Sequence, residues 1–283
     1  MCDQLKAFGK CLITGFFISF AFSAEPDLDA ARLVEKDNIK TLETGIWSYQ
    51  KDRCTLDLVG VIHIADSGYY QKLNTLFESY DTVFFEMVAN KSALKALRSG
   101  DNKAPNKKGE NLSELNKMYS LYQTMMDLSL QTKEIDYSKK NFIHADMTET
   151  QFHKAQKNAG ETLSTFIMGA DIDLSKVDQG IMTRAMMTGE SNILKTELIE
   201  LLASADNSFE SDGQESVLLG ARNDTCLSIV NDNLQKNKEL QNVAIFYGAA
   251  HLPDFHNKLI AQGWVLKTQD WLTAWKIEQV PEN

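Results

Sequence analysis

Two stretches near opposite ends of this chain read alike: Leu58-Val59-Gly60-Val61-Ile62-His63 and Ile245-Phe246-Tyr247-Gly248-Ala249-Ala250-His251. Each is an apolar run that closes on Gly-x-x-His. Each continues through a helix-like stretch into a second apolar run. A short apolar run bounded by turn residues is the pattern of a buried strand, and the following helix carries the chain back over the sheet. The repeat therefore predicts an α/β fold with a pseudo-symmetric core of two βαβ-type units. A histidine stands at the same point in each unit, so the two can face one another across a pocket and share a metal or a substrate.

Around these motifs the chain divides unevenly. Residues 24 to about 44 are polar and predict a short helix plus linker. Gly45 to Lys51 alternates as a strand, Asp52-Arg53 makes a turn, and Cys54 to Ile62 is the partner strand. Asp66-Ser67 is an N-cap pair. Tyr69, Tyr70, Leu73, Leu76, Phe77 and Tyr80 then recur at helical spacing with one apolar face. Thr82 to Val88 is a short buried strand carrying one carboxylate, Glu86. Residues 101–111 are rich in Lys, Asn and Gly and predict a surface loop, followed by a helix from 112 to about 133. Phe142 to Asp146 is a candidate third strand, and Thr148 to Gln151 fits a capping box. No strand pattern follows until residue 242, so residues 91–214 are expected to form a large helical insertion on a core of 45–90 and 215–283. Glu215 to Leu234 predicts a helix carrying Arg222 and Asn223. Asn242 to Tyr247, Leu252 to Gln262 and Trp264 to Thr268 predict the last strand, helix and strand. Three of the four tryptophans lie in the final twenty residues, which implies a tail packed on the core.

The first residues read as a targeting segment. Lys6 and Lys10 precede an uncharged, mostly apolar run from Cys11 to Phe22, and Ala21-Phe22-Ser23 is a small-x-small cleavage site. The run is short of the ~20 residues a spanning helix needs. Residues 1–23 are thus expected to be a signal peptide, with an uncleaved anchor as the alternative. The mature chain, 24–283, would be a single exported domain, periplasmic or secreted, with no integral membrane span. Cys54 and Cys226 would remain after cleavage, either as a disulfide joining the two halves or as two thiols. The formal charge of −10 argues against nucleic acid or an anionic membrane as the main partner. Nothing in the sequence fixes an oligomeric state.

The chemistry rests on few residues. His63 and His251 are the candidate pair; the bland alternative is two satisfied histidines at helix starts. Glu86 is the natural third member, one βαβ step after His63. A glutamate between Val83-Phe84-Phe85 and Met87-Val88 is costly to bury unless paired or metal-bound, although an edge position facing solvent would also accommodate it. Two histidines and one carboxylate leave positions open on a divalent metal such as Zn²⁺, Mn²⁺, Co²⁺ or Fe²⁺. In a variant, Glu86 acts as general base rather than ligand. Arg222 is a candidate to stabilise developing negative charge or to clamp a carboxylate; a surface salt bridge is the equal alternative. Asp66 is better read as a helix N-cap than as a ligand, and Tyr70 as core. His144 and Asp146 are better read as ordinary strand-end residues than as supports for the site, and His153 and His256 as helix residues. There is no Gly-x-Ser-x-Gly elbow, phosphate-binding loop, dinucleotide fingerprint, His-Glu-x-x-His or Cys-x-x-Cys.

Taken together, Gly60-Val-Ile-His63, the Tyr69-Tyr70 helix, Val83-Phe-Phe-Glu86, Arg222-Asn223 and Gly248-Ala-Ala-His251-Leu252 resemble the TraB/GumN family. That family takes in pheromone-shutdown proteins and, more distantly, the Tiki metalloproteases. The resemblance follows the order of most of the mature chain and is loose in the helical middle. It implies a pseudo-symmetric α/β core with a helical insertion. From the Tiki branch it implies a metal-dependent peptidase whose site falls here on His63, His251 and Glu86, with Arg222 in support. The second motif reads Gly-Ala-Ala-His, where the Tiki pattern has Asn after the Gly. The expected function is an exported metal-dependent hydrolase acting on a peptide or small-molecule substrate. A non-catalytic protein that sequesters such a ligand is the alternative.

Overall fold

In the computed structural model, residues 28–99, 123, 126–160, 178–189, 191–206 and 217–278 are described. The targeting segment, the loop expected at 101–111 and most of the helix expected from 112 to about 133 lie outside them; within that expected helix, Ser129–Leu130 is a strand. The fold is mixed α/β, built on a seven-stranded sheet.

The sheet begins with two antiparallel strands, β1 (Ala31–Lys36) and β2 (Ile39–Lys51), where the sequence suggested a helix and linker. Asp37 and Asn38 join them, with φ of 52° and 60°. A type I′ hairpin turn has positive φ at both central residues, and Asp and Asn tolerate it better than most. A second two-residue turn at Asp52-Arg53 leads to β3 (Cys54–Val61), in register Lys51 opposite Cys54. A short strand β4 (Ile64–Ala65), helix α1 (Ser67–Leu76) and β5 (Thr82–Phe85) follow. Helix α2 (Lys91–Arg98), β6 (Ser129–Leu130), the single-turn α3 (Gln131–Glu134), β7 (Phe142–His144) and α4 (Glu149–Ala159) come next. The expected capping box opens α4: Thr148 Oγ1 accepts from Gln151 N–H, and the Gln151 side chain accepts from Thr148 N–H. Helices α5 (Gln179–Thr188), α6 (Ser191–Asp206) and α7 (Val217–Lys236) precede β8 (Asn242–Gly248), α8 (Leu252–Ala261) and β9 (Val265–Glu278).

Strands β3, β8, β5 and β7 run parallel and in that order, so the late strand β8 is inserted between two early ones. On the other side β2 lies antiparallel to β3, and β9 pairs along the full length of β2. β9 is therefore parallel to β8. Two βαβ crossovers result. The first, β3–α1–β5, skips one strand toward the β7 edge, and the second, β8–α8–β9, skips two toward the opposite edge. Crossovers of one hand leaving in opposite directions place their helices on opposite faces. The core has that division. Val59, Val61, Val83, Phe85, Ala244 and Phe246 pack with Tyr69, Tyr70, Leu73 and Phe77 of the first crossover. Leu56, Leu58, Phe84, Val243, Ile245 and Tyr247 pack with Leu252, Phe255 and Leu259 of α8 and with Cys226, Leu227 and Val230 of α7. The strands are apolar on both faces because both faces are covered.

β7 falls inside the stretch read as a helical insertion, yet it pairs with β5 and belongs to the main sheet. The closing strand is also longer than expected, since β9 runs to Glu278 and brings Trp271 beneath Arg32 and Trp275 into the core. Cys54 and Cys226 form no disulfide. Among the described residues, no helix is long and apolar enough to cross a membrane.

Candidate functional site

Neighbouring β3 and β8 send their connections in opposite directions, so the sheet has a topological switch point between them. The crevice outside the carboxyl ends of strands at such a point is where open α/β sheets hold ligands. His63 follows the end of β3, His251 the end of β8 and Glu86 the end of β5. The parallel register sets Val61 opposite Gly248 and Phe85 opposite Phe246, which brings the three side chains to one place. They meet over Gly248. A methyl group added there would lie 3.4 Å from Glu86 Oε2, 3.6 Å from His63 Nε2 and 3.7 Å from His251 Cδ2.

Each histidine is gripped by one carboxamide residue at two points. His63 Nδ1 lies 2.6 Å from Gln131 Oε1, and the Gln131 backbone N–H donates to His63 O at 2.9 Å. His251 Nδ1 lies 2.6 Å from Asn223 Oδ1, and Asn223 Nδ2 donates to His251 O at 3.2 Å. The Asn223 amide cannot be turned round without loss, because its Nδ2 donates to Asp254 Oδ2 at 2.7 Å, whereas Gln131 Nε2 meets the Tyr137 hydroxyl at 2.9 Å, a group that serves either amide orientation. A carboxamide oxygen only accepts, so with Asn223 held this way the proton of His251 sits on Nδ1. His63 Nε2 lies over Gly248 on the crevice side, and His251 Nε2 accepts from Arg222 Nη1 at 3.4 Å.

Arg222 organises the carboxylates. It rises from α7, whose buried residues Leu219, Arg222, Asn223, Cys226, Leu227 and Val230 form one stripe at helical spacing. Its Nε and Nη2 clasp Asp146 at 3.1 and 2.7 Å, and Nη2 also donates to Glu86 Oε1 at 2.5 Å. Nη1 stands 3.4 Å from His251 Nε2. Gly248 N–H donates to the other Glu86 oxygen at 2.6 Å. Burial pushes the Glu86 carboxyl up, but Arg222, the two histidines and the Gly248 N–H outweigh it and hold the group well below the usual carboxylate range. Burial pulls His251 down, against Glu86 and with help from Arg222 and His63, to about 3. At neutral pH the site thus contains a charged Glu86 and a neutral His251. A carboxylate held so far below neutral is a weak proton acceptor.

The sequence candidates His63, Glu86, Arg222 and His251 are therefore brought together. Arg222 is buried among Asp146, Glu86 and His251 rather than exposed on the surface. Asp146, read as an ordinary strand-end residue, is buried against Arg222, while His144 turns away to Met87 O. Asp66 makes no side-chain cap bond; its carboxylate accepts from Lys276 N–H at 2.9 Å and faces Lys195 at 3.4 Å. Tyr70 is buried in the core, with its hydroxyl on Ile62 O, and His256 meets the Tyr49 hydroxyl. Gln131 was missed because only the β4–β6 pairing brings it to His63. Asn223 and Asp146 did leave a signal, a polar residue on an apolar helix stripe and an acid at the end of a strand.

Among the described residues, no group of three or more His, Cys, Asp or Glu is gathered closely enough to hold a metal ion. Comparison with protein-family models, curated proteins and solved structures returns no match.

Proposed function

We propose that this chain is an exported metal-dependent hydrolase acting on peptides, with a divalent ion held by His63, His251 and Glu86. The observation that carries the reading is the pair of carboxamide-gripped imidazoles that converge with an ionised glutamate over Gly248, at the switch point of the sheet. Two further features favour a divalent cation there. Glu86 and Asp146 bring two negative charges against the one positive charge of Arg222, a buried imbalance that a cation offsets. The space over Gly248, where even a methyl group would touch all three side chains, is left open by the absence of a Cβ. Zn²⁺, Mn²⁺ and Co²⁺ accept such nitrogen and oxygen donors. When bound, a cation of this kind supplies an acidified water and polarises a carbonyl.

The remaining roles belong to the chain itself. Gln131 and Asn223 fix the two imidazoles. Arg222, anchored by its two bonds to Asp146, keeps Glu86 charged and aimed at His251. The Gly248 N–H fixes the second oxygen of Glu86. The export assignment rests on the Lys6-to-Ser23 segment, and the peptidase assignment on the TraB/GumN resemblance.

A second reading is favoured by the grip of Arg222 on Glu86, since the arginine competes with any cation for that carboxylate. In this reading the crevice sequesters a peptide or small ligand without turning it over. One experiment separates the two. The mature chain is stripped with chelator, reloaded with Zn²⁺, Mn²⁺ or Co²⁺, and incubated with a peptide library read by mass spectrometry. Cleavage that requires metal and is lost in His63→Ala supports the hydrolase. Binding of library peptides without cleavage under every metal supports the second reading.

A further inference from the structure

The two histidines are gripped alike, but their supports end differently. Beyond Gln131 stands the hydroxyl of Tyr137, which can donate or accept. Beyond Asn223 stands the buried carboxylate of Asp254, which when ionised can only accept. Lys258 reaches the same Asp254 oxygen at 3.0 Å, lies 2.6 Å from Asp224 and donates to Gly220 O at 2.9 Å. It thus pairs with Asp254 and ties α8 to α7.

We infer that Asp254 is a positioning residue for His251, acting through Asn223. The inference rests on the reading of His251 as a ligand in the proposed site. An acceptor-only carboxylate obliges Asn223 to turn its NH₂ toward α8. Its oxygen then necessarily faces His251 Nδ1. The carboxylate also polarises the amide, so that Oδ1 is a stronger acceptor and the imidazole a stronger donor at Nδ1, with a more basic Nε2. Among the described residues, the group in the equivalent place beyond Gln131 is the neutral hydroxyl of Tyr137. The two histidines are consequently unequal, and His251 is the one whose orientation is enforced by charge.

The test uses the metal-free mature protein, labelled with ¹⁵N, and long-range ¹H–¹⁵N spectra of the imidazoles. In the wild type, the His251 ring should carry its proton on Nδ1, and that Nδ1–H should be far downfield and slow to exchange. In Asp254→Ala that resonance should move upfield and exchange about tenfold faster, as expected on weakening one charge-assisted bond. The His63 resonance should stay in place. Asp254→Asn should keep the His251 proton on Nδ1, because Lys258 would hold the new amide oxygen toward Asn223, but its resonance should lie upfield of the wild type, since the charge is gone. A wild-type His251 protonated on Nε2 would overturn the inference whether or not any variant folds. So would an Asp254→Ala spectrum with His251 unmoved, or one in which His63 moves equally, since general loosening would do that. Because no metal is present, failure of the metal-site reading would leave these outcomes intact and would show instead as absence of bound metal in the reloaded wild type.

Discussion

Gly60 and Gly248 occupy the same place in the two motifs but answer to different constraints. A Cβ on Gly60 would lie 3.1 Å from both Gly45 O and Leu252 Cδ2, closer than a packed core accepts without movement. Gly60→Ala should therefore cost about 1–3 kcal/mol in urea unfolding. At Gly248 φ and ψ are −49° and 139°, within reach of alanine, and the nearest atoms stand at ordinary contact distance. Gly248→Ala should change stability by less than about 0.5 kcal/mol, yet weaken Zn²⁺ binding tenfold or more, as titration with a competing chelator would measure. Equal loss of stability in both variants would contradict this division. Arg222 is more exacting still. Replacing it by Met leaves Asp146 and Glu86 buried without their cation, and the unfolding free energy should fall by about 3–5 kcal/mol. At this scale the sequence was informative where a residue was costly in its own strand. Glu86 stands after an apolar run, and each histidine at a strand end. It was uninformative for Gln131, whose relation to His63 depends on a pairing 68 residues away.

Among the elements, α7 carries the most information per residue, because its buried stripe mixes core and site. Cys226 lies on that stripe and is inaccessible, and burial pushes its thiol well above the ordinary range. Cys54, half-buried at the start of β3, is pushed up less, by burial and then by Asp81. In native protein at mild alkaline pH, a thiol reagent should label Cys54 first and reach Cys226 only on unfolding; mass mapping of the labelled peptides would show the order. Labelling of Cys226 first would mean that α7 does not pack as described. Strands β3, β5 and β8 and helices α1, α7 and α8 were all legible, since each shows a clean period or a continuous apolar run. β1 was not. Ala31–Lys36 is a six-residue edge strand, half-buried at most, with no alternation to separate it from a polar linker. Its one local signal was the Asp37-Asn38 pair that closes the hairpin.

In the whole molecule, the C-terminal segment supplies the middle of the sheet. β8 separates β3 from β5, so the N-terminal part of the chain has no continuous sheet of its own. A fragment ending at residue 216 should lack cooperative thermal unfolding and dispersed amide resonances; a fragment that folds cooperatively would contradict the strand order. The same insertion brings two distant histidines side by side at the switch point, and the sequence repeat alone foretold that meeting. The order of strands was not legible, because apolar runs announce burial on both faces without naming neighbours. The central claim is that His63, His251 and Glu86 form one cation site. Its most direct test is elemental analysis of mature protein purified without chelator or nickel resin, beside His63→Ala and His251→Ala. The account predicts about one divalent ion per chain in the wild type and its loss in both variants. A wild type that holds no metal after reconstitution with Zn²⁺, Mn²⁺ and Co²⁺, or variants that keep it, would contradict the account.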